Sequence, residues 1–132
     1  MAKPIIDVNL NDLSQTTLLL DSHIKFLVKV AKSDDCTLDF LKMSGIYWSL
    51  TAMDLMNALD ELPGEEIVEF VLNCHQSDGG FSPAIDHDSH VLSTLSAIQI
   101  LSILNKIDLV DQETVCNYVL SLKVCIFLFI SA

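Results

Sequence analysis

The chain has 132 residues, half of them apolar, with a mean hydropathy of +0.46 and a net charge of −11. Seven lysines and no arginine cannot build a phosphate-neutralising surface, so nucleic acid is excluded as a partner. No charged-then-apolar leader precedes Leu18-Leu19-Leu20 and the four cysteines (Cys36, Cys74, Cys116, Cys125) lack close pairing, so the expectation is a folded, cytoplasmic chain with reduced, buried thiols.

Residues 1–17 form an N-terminal segment ahead of the first patterned stretch. Phe26 to Asp34 is then a faint early copy of an amphipathic helix that returns as Phe70 to Asp78, at an offset of 44. Next comes a helix apolar nearly all round, with Ile46, Tyr47, Trp48, Leu50, Met53, Leu55, Met56 and Leu59. Such a helix belongs inside. The following stretch is amphipathic again: Ile67, Phe70, Val71 and Cys74 share one face, and Glu65, Glu66, Glu69 and Asn73 supply polar positions. Cys74-His75 reads as part of the same helix, where neighbours cannot face one ligand, so Cys74 is expected in the core.

Gln76-Ser77-Asp78-Gly79-Gly80-Phe81 interrupts this pattern. Two glycines followed by Phe81 and Pro83 between helices imply a tight reversal with positive φ available and an aromatic plug. The segment is no phosphate loop, because no Gly-x-x-x-x-Gly-Lys pattern is present and no strand precedes it. Asp86-His87-Asp88-Ser89-His90 has the composition of a metal site, but it stands just before a helix, where Asp88 or Ser89 is a natural N-cap. The helix that follows is again apolar all round, with Val91, Leu92, Leu95, Ile98, Ile100, Leu101, Ile103 and Leu104. Leu50 to Met56 pairs with Leu95 to Leu101 at an offset of 45, and Glu65 to Leu72 with Glu113 to Leu120 at an offset of 48. An outer, amphipathic type thus alternates with an inner, apolar type, five helices in all, as stacked helical hairpins. Two concentric layers follow, either an all-α α/α toroid, here incomplete, or a two-layer solenoid.

The combination of Met43 to Met56, Phe70 to Cys74 running into Asp78-Gly79-Gly80-Phe81, and His87 to Leu101 resembles the N-terminal part of the β subunit of protein prenyltransferases. Within that family it is most similar to the type II enzyme, Rab geranylgeranyltransferase, and the likeness covers about Leu18 to Lys123. The resemblance implies an α/α toroid whose inner helices line an apolar funnel, wrapped by a separate α subunit. It implies transfer of geranylgeranyl from geranylgeranyl diphosphate to C-terminal cysteines of Rab proteins presented by an escort protein. It places Ser44 and Leu95 where shorter-lipid relatives carry bulky aromatics, with Trp48 in the same wall of the lipid pocket; the alternative for all three is toroid core. Gly79, Gly80 and Phe81 remain the structural turn.

The family's catalytic zinc binds the substrate cysteine, lowers its pKa and holds the thiolate against the lipid. Its ligands and the diphosphate-gripping basic residues lie in later repeats, so none of the cysteines or the four histidines here is assigned to metal and no catalytic residue is named. After Leu120-Ser121-Leu122-Lys123 the family pattern calls for another glycine-rich turn, whereas the chain reads Val124-Cys125-Ile126-Phe127-Leu128-Phe129-Ile130-Ser131-Ala132. Those nine residues fall short of the roughly 20 that span a bilayer, and so charge-free a run is an aggregation hazard where exposed. The expected organisation is therefore an N-terminal segment (1–17), partial toroid repeats (18–123) and a divergent tail (124–132), a truncated form without transferase activity of its own. Two other readings stand beside it: a non-catalytic fragment that binds the α subunit or a lipid tail, and a fragment of a terpene cyclase, whose toroid repeats use a similar turn but whose Asp-x-Asp-Asp motif is absent here.

Overall fold

A computed structural model describes residues 18–31 and 36–123. Among them are five α-helices and no strand: α1 (Leu20–Ala31), α2 (Lys42–Leu55), α3 (Gly64–Asn73), α4 (Val91–Ile103) and α5 (Gln112–Leu122). Short 3-10 turns occupy Cys36–Leu41, Leu59–Glu61 and Ile107–Leu109. The segments expected at 1–17 and 124–132, with Cys125, lie outside the described residues, as do Lys32, Ser33 and Asp34 of the first helix copy.

Layering follows from which helices meet. The apolar pair α2 and α4 make the most extensive contact, α1 packs on α2, and α3 packs on α4. This is the inner-and-outer arrangement of an α/α toroid. The amphipathic reading of α3 holds: Ile67, Val68 and Val71 are buried, Glu65, Glu66 and Glu69 are exposed, and Phe70 is half-buried beneath the Lys42 ammonium, 5.0 Å from the ring centroid.

The inner helices depart from expectation. They are not buried all round, and what they bury includes small hydroxyl side chains: Met43, Ser44, Leu50 and Met53 on α2, and Ser93, Thr94, Ser96, Ala97, Ile100 and Leu101 on α4. Trp48, Leu55, Val91, Leu92 and Leu95 are exposed. Small residues go to the contact because they let two helix backbones approach, and two of the hydroxyls, those of Ser44 and Ser96, pair there. The Ser44 and Ser96 hydroxyls hydrogen-bond at 3.3 Å, and Gln99 Nε2 donates to Tyr47 Oη at 3.1 Å. Each inner helix has one inner neighbour among the described residues.

Helix ends correct the repeat length. Asn57 and Asn105 both adopt positive φ, 53° and 55°, two residues beyond α2 and α4. Asn57 N donates to Asp54 O and Ala58 N to Met53 O; Asn105 N donates to Ser102 O and Lys106 N to Leu101 O. Both helices thus close with the same pair of bonds around a left-handed asparagine. Matching these ends sets α2 against α4 at an offset of 48, the same as α3 against α5, rather than 45. A shift of three keeps apolar side chains on one helix face, so apolar periodicity alone does not separate the two registers.

Caps supply two more corrections. At α4 the cap is His90, whose Nδ1 accepts from Leu92 N at 3.2 Å, and not Asp88 or Ser89. The Ser89 hydroxyl is committed elsewhere, donating to Asp78 Oδ1 at 2.7 Å. α3 ends at Asn73, so Cys74 is its C-cap, and His75 leaves the helix to form an isolated antiparallel bridge with Phe81. At α5, Asp111 Oδ1 accepts from Glu113 N at 3.1 Å. Asp111→Ala is expected to cost about 1 kcal/mol, read as a lower urea midpoint at unchanged slope.

Candidate functional site

The glycine turn is a clamp between three elements. Gly79 N donates to Gln76 O at 3.0 Å, Gln76 N to Gly80 O at 2.9 Å, and Gly80 N to Asp78 Oδ1 at 2.9 Å, which closes the reversal on itself. Gly79 has φ +88°, and a Cβ there would stand 2.3 Å from the carbonyl oxygen of Thr114 on α5. At Gly80 a Cβ would come within 2.7 Å of the Tyr118 ring and 2.8 Å of Ser89 Cβ. Both glycines are needed because α5 presses its backbone and an aromatic ring directly on the turn. Burial, followed by the nearby Asp78 carboxylate, pushes the Tyr118 phenol pKa up.

Phe81 is the expected plug and is fully buried. Its N–H donates to Thr94 Oγ1 at 2.9 Å, its carbonyl accepts from His90 N at 3.0 Å, and its ring stacks on His75 with centroids 4.5 Å apart. His75 Nε2 is buried with no hydrogen-bond partner among the described residues. Beyond the plug, Ser82 donates to Ala84 O at 2.6 Å, and Pro83 O accepts from Met43 N at 3.1 Å, tying the start of α2 to the same loop.

The three residues singled out for a lipid wall sit in different surroundings. Ser44 is buried (5% exposed) in the α2–α4 contact. One turn along α2, Trp48 is 59% exposed, and Leu95 on α4 is 54% exposed. Trp48 lines a groove of about 560 Å³ together with Phe26, Val30, Leu41, Leu62 and Phe70, from α1, α3 and the short turns beside them. Neither Ser44 nor Leu95 lines that groove. Sequence reading missed the groove; its signal was the apolar face of α1, where Phe26 stays exposed. It also missed Thr114 and Tyr118, whose part depends on contacts far away in sequence.

The thiols divide. Cys74 is buried, and burial pushes its pKa up against the opposing effects of a Ser82 hydrogen bond and the Lys42 charge. Cys116, expected to be buried, is exposed. It follows Val115, one of the two residues α5 buries, and one step around a helix carries it off that face. The side chain of Cys36 lies outside the described ones. Among the described residues no three His, Cys, Asp or Glu side chains converge as metal ligands, and no helix is long and apolar enough to cross a membrane.

Residues 18–126 match the family of the prenyltransferase α-α toroid domain. Over 103 residues the chain is 44% identical to a probable geranylgeranyl transferase type-2 subunit β of Caenorhabditis elegans, covering 75% of this chain and 31% of that protein. It is 40% identical over 90 residues to a probable geranylgeranyl transferase type-2 subunit β of Dictyostelium discoideum (65% and 26%) and 36% over 89 residues to the geranylgeranyl transferase type-2 subunit β 1 of Arabidopsis thaliana (64% and 28%). The chain therefore spans about a quarter to a third of the length of these curated relatives. With the family match running from α1 through α5 and the two helix layers built as it requires, this chain belongs to the prenyltransferase α/α toroid family.

Proposed function

We propose that this chain forms the lipid-lining portion of a Rab geranylgeranyltransferase β subunit, that it docks on the family's α subunit in the cytosol, and that it transfers no lipid by itself. The observation that carries the reading is the likeness to type-2 β subunits combined with inner helices that leave Trp48 and Leu95 open on their surface. In this reading Trp48 on α2 and Leu95 on α4 offer separate exposed apolar surfaces to a geranylgeranyl chain, and Ser44, small and buried, lets the two inner helices approach. The toroid portion is 18–123, with 1–17 and 124–132 outside it.

In this reading the family's zinc is held by residues other than the described ones, among which no three His, Cys, Asp or Glu side chains converge. Thiolate activation therefore belongs to residues other than these. The absence of arginine argues the same for the diphosphate, which bidentate guanidinium groups hold best. The free thiols Cys74 and Cys116 suit a reducing compartment.

The test is co-expression of the chain with a type-2 α subunit, followed by a transfer assay with zinc, geranylgeranyl diphosphate, a Rab protein and an escort protein. Co-purification without turnover is expected, and transfer by the purified chain would overturn the assignment of the chemistry to other residues. Leu95→Trp is expected to weaken binding of geranylgeranyl diphosphate to that complex by about 10-fold or more, because an indole fills the space of the lipid. An unchanged affinity would remove Leu95 from the lipid wall.

A further inference from the structure

We propose that Asp78-Gly79 is a site of spontaneous isomerisation to isoaspartate, which the folded turn with α5 seated on it holds shut and which reacts when the turn opens. It is the single Asp-Gly pair of the chain, and the sequence has no Asn-Gly. Glycine has no Cβ to shield its main-chain nitrogen, so in such a pair that nitrogen can attack Cγ of the preceding carboxyl. The new C-N bond closes a five-membered imide, and the carboxyl OH leaves as water with the proton from nitrogen. Water then opens the ring at either carbonyl. Opening at the α-carbonyl leaves the main chain running through the side-chain carbon, as isoaspartate, and neither step needs a cofactor or an oxidant.

In the folded turn both reacting groups are held by other partners. Gly79 N donates to Gln76 O at 3.0 Å, while Asp78 Oδ1 accepts from Gly80 N at 2.9 Å and from the Ser89 hydroxyl at 2.7 Å. Swinging Cγ onto Gly79 N therefore breaks the bonds to Gly80 and Ser89. Moving the glycines instead is blocked from above. Gly79 and Gly80 are buried, with Thr114 O of α5 against the first and the Tyr118 ring against the second. Asp78 itself is exposed, so water reaches the imide once it has formed. The product does not fit the closed turn, because isoaspartate adds a methylene to the main chain beside two positions that lack room for a methyl group. Reaction thus unseats α5 permanently, and this holds whether or not the chain binds lipid.

The experiment ages the full 132-residue chain at neutral pH, in native buffer and in urea, and follows isoaspartate at residue 78. Two readouts serve: methyl uptake catalysed by an isoaspartyl methyltransferase, and loss of cleavage before residue 78 by a protease that cuts only at ordinary aspartate. The native rate should lie on the order of 100-fold below the rate in urea, because only the opened fraction reacts. Helical circular dichroism of the native sample should fall in step with isoaspartate. Ser89→Ala removes one of the two bonds on the carboxylate and should raise the native rate by about 10-fold, leaving the rate in urea unchanged. If that variant loses its helices, Asp78→Asn takes its place: its amide oxygen can accept the same two bonds, and deamidation through the same imide is read as a gain in mass, again slow in native buffer and fast in urea. A native wild type that isomerises as fast as the chain in urea overturns the proposal. So does a folded Ser89→Ala chain with the wild-type rate, or an Asp78→Asn chain that native buffer fails to protect.

Discussion

Gly79→Ala is expected to destabilise the chain by about 3 kcal/mol, whereas Gly45→Ala, the same substitution in α2, is expected to stabilise it by about 0.5–1 kcal/mol. Two costs add at Gly79. Its φ of +88° lies where a Cβ is strained, at roughly 1–2 kcal/mol. The new methyl would also stand 2.3 Å from Thr114 O, a backbone atom that moves only if the start of α5 moves. That second cost is overpacking, of order 1–3 kcal/mol. Gly45, by contrast, lies inside a helix with nothing within 4 Å of the place a methyl would take, so alanine gains helix propensity without collision. Urea unfolding of both variants beside the wild type reads the two signs. Equal effects would show that the turn does not bear on α5.

Phe81→Ala is expected to cost about 3–5 kcal/mol, enough to unfold a marginally stable chain at ambient temperature. The ring is fully buried and stacks on His75, and the backbone on either side of it is bonded to Thr94 and His90. Removing it leaves a cavity where the turn, α3 and α4 converge, and strands the His75 ring without its partner. Phe81→Leu retains most of the volume and should lose no more than about 1.5 kcal/mol. Phe26→Ala, at an exposed phenylalanine on α1, should stay within about 0.5 kcal/mol. Thermal unfolding followed by circular dichroism ranks the three, and an alanine at 81 no worse than one at 26 would remove Phe81 from the core.

The two kinds of helix were legible because burial writes itself into periodicity: glutamates on one side of α3 and apolar residues on the other state which side faces water. The glycine turn was legible for a similar local reason, since only glycine suits a positive φ under a close contact. The register between repeats was not. Leu50 to Met56 slides onto Leu95 to Leu101 or onto the residues three further along with almost equal apolar agreement, and the decision rests with Asn57 and Asn105, whose left-handed backbone appears only once the helices are closed. The cap of α4 was misjudged because Ser89, a good cap by type, is held by Asp78 eleven residues away.

By itself the sequence determined the helix types, their alternation, the tight reversal and the family resemblance, all of which depend on neighbours within a few turns of chain. Tertiary structure alone decided which flanks of α2 and α4 are covered, that Trp48 lines a groove apart from Ser44 and Leu95, and that Gly79 and Gly80 seat α5. An apolar residue in a sequence reports that it is better out of water. Whether another helix arrives to cover it is a property of the packing, and here Ser96 is covered while its repeat-equivalent Trp48 is not.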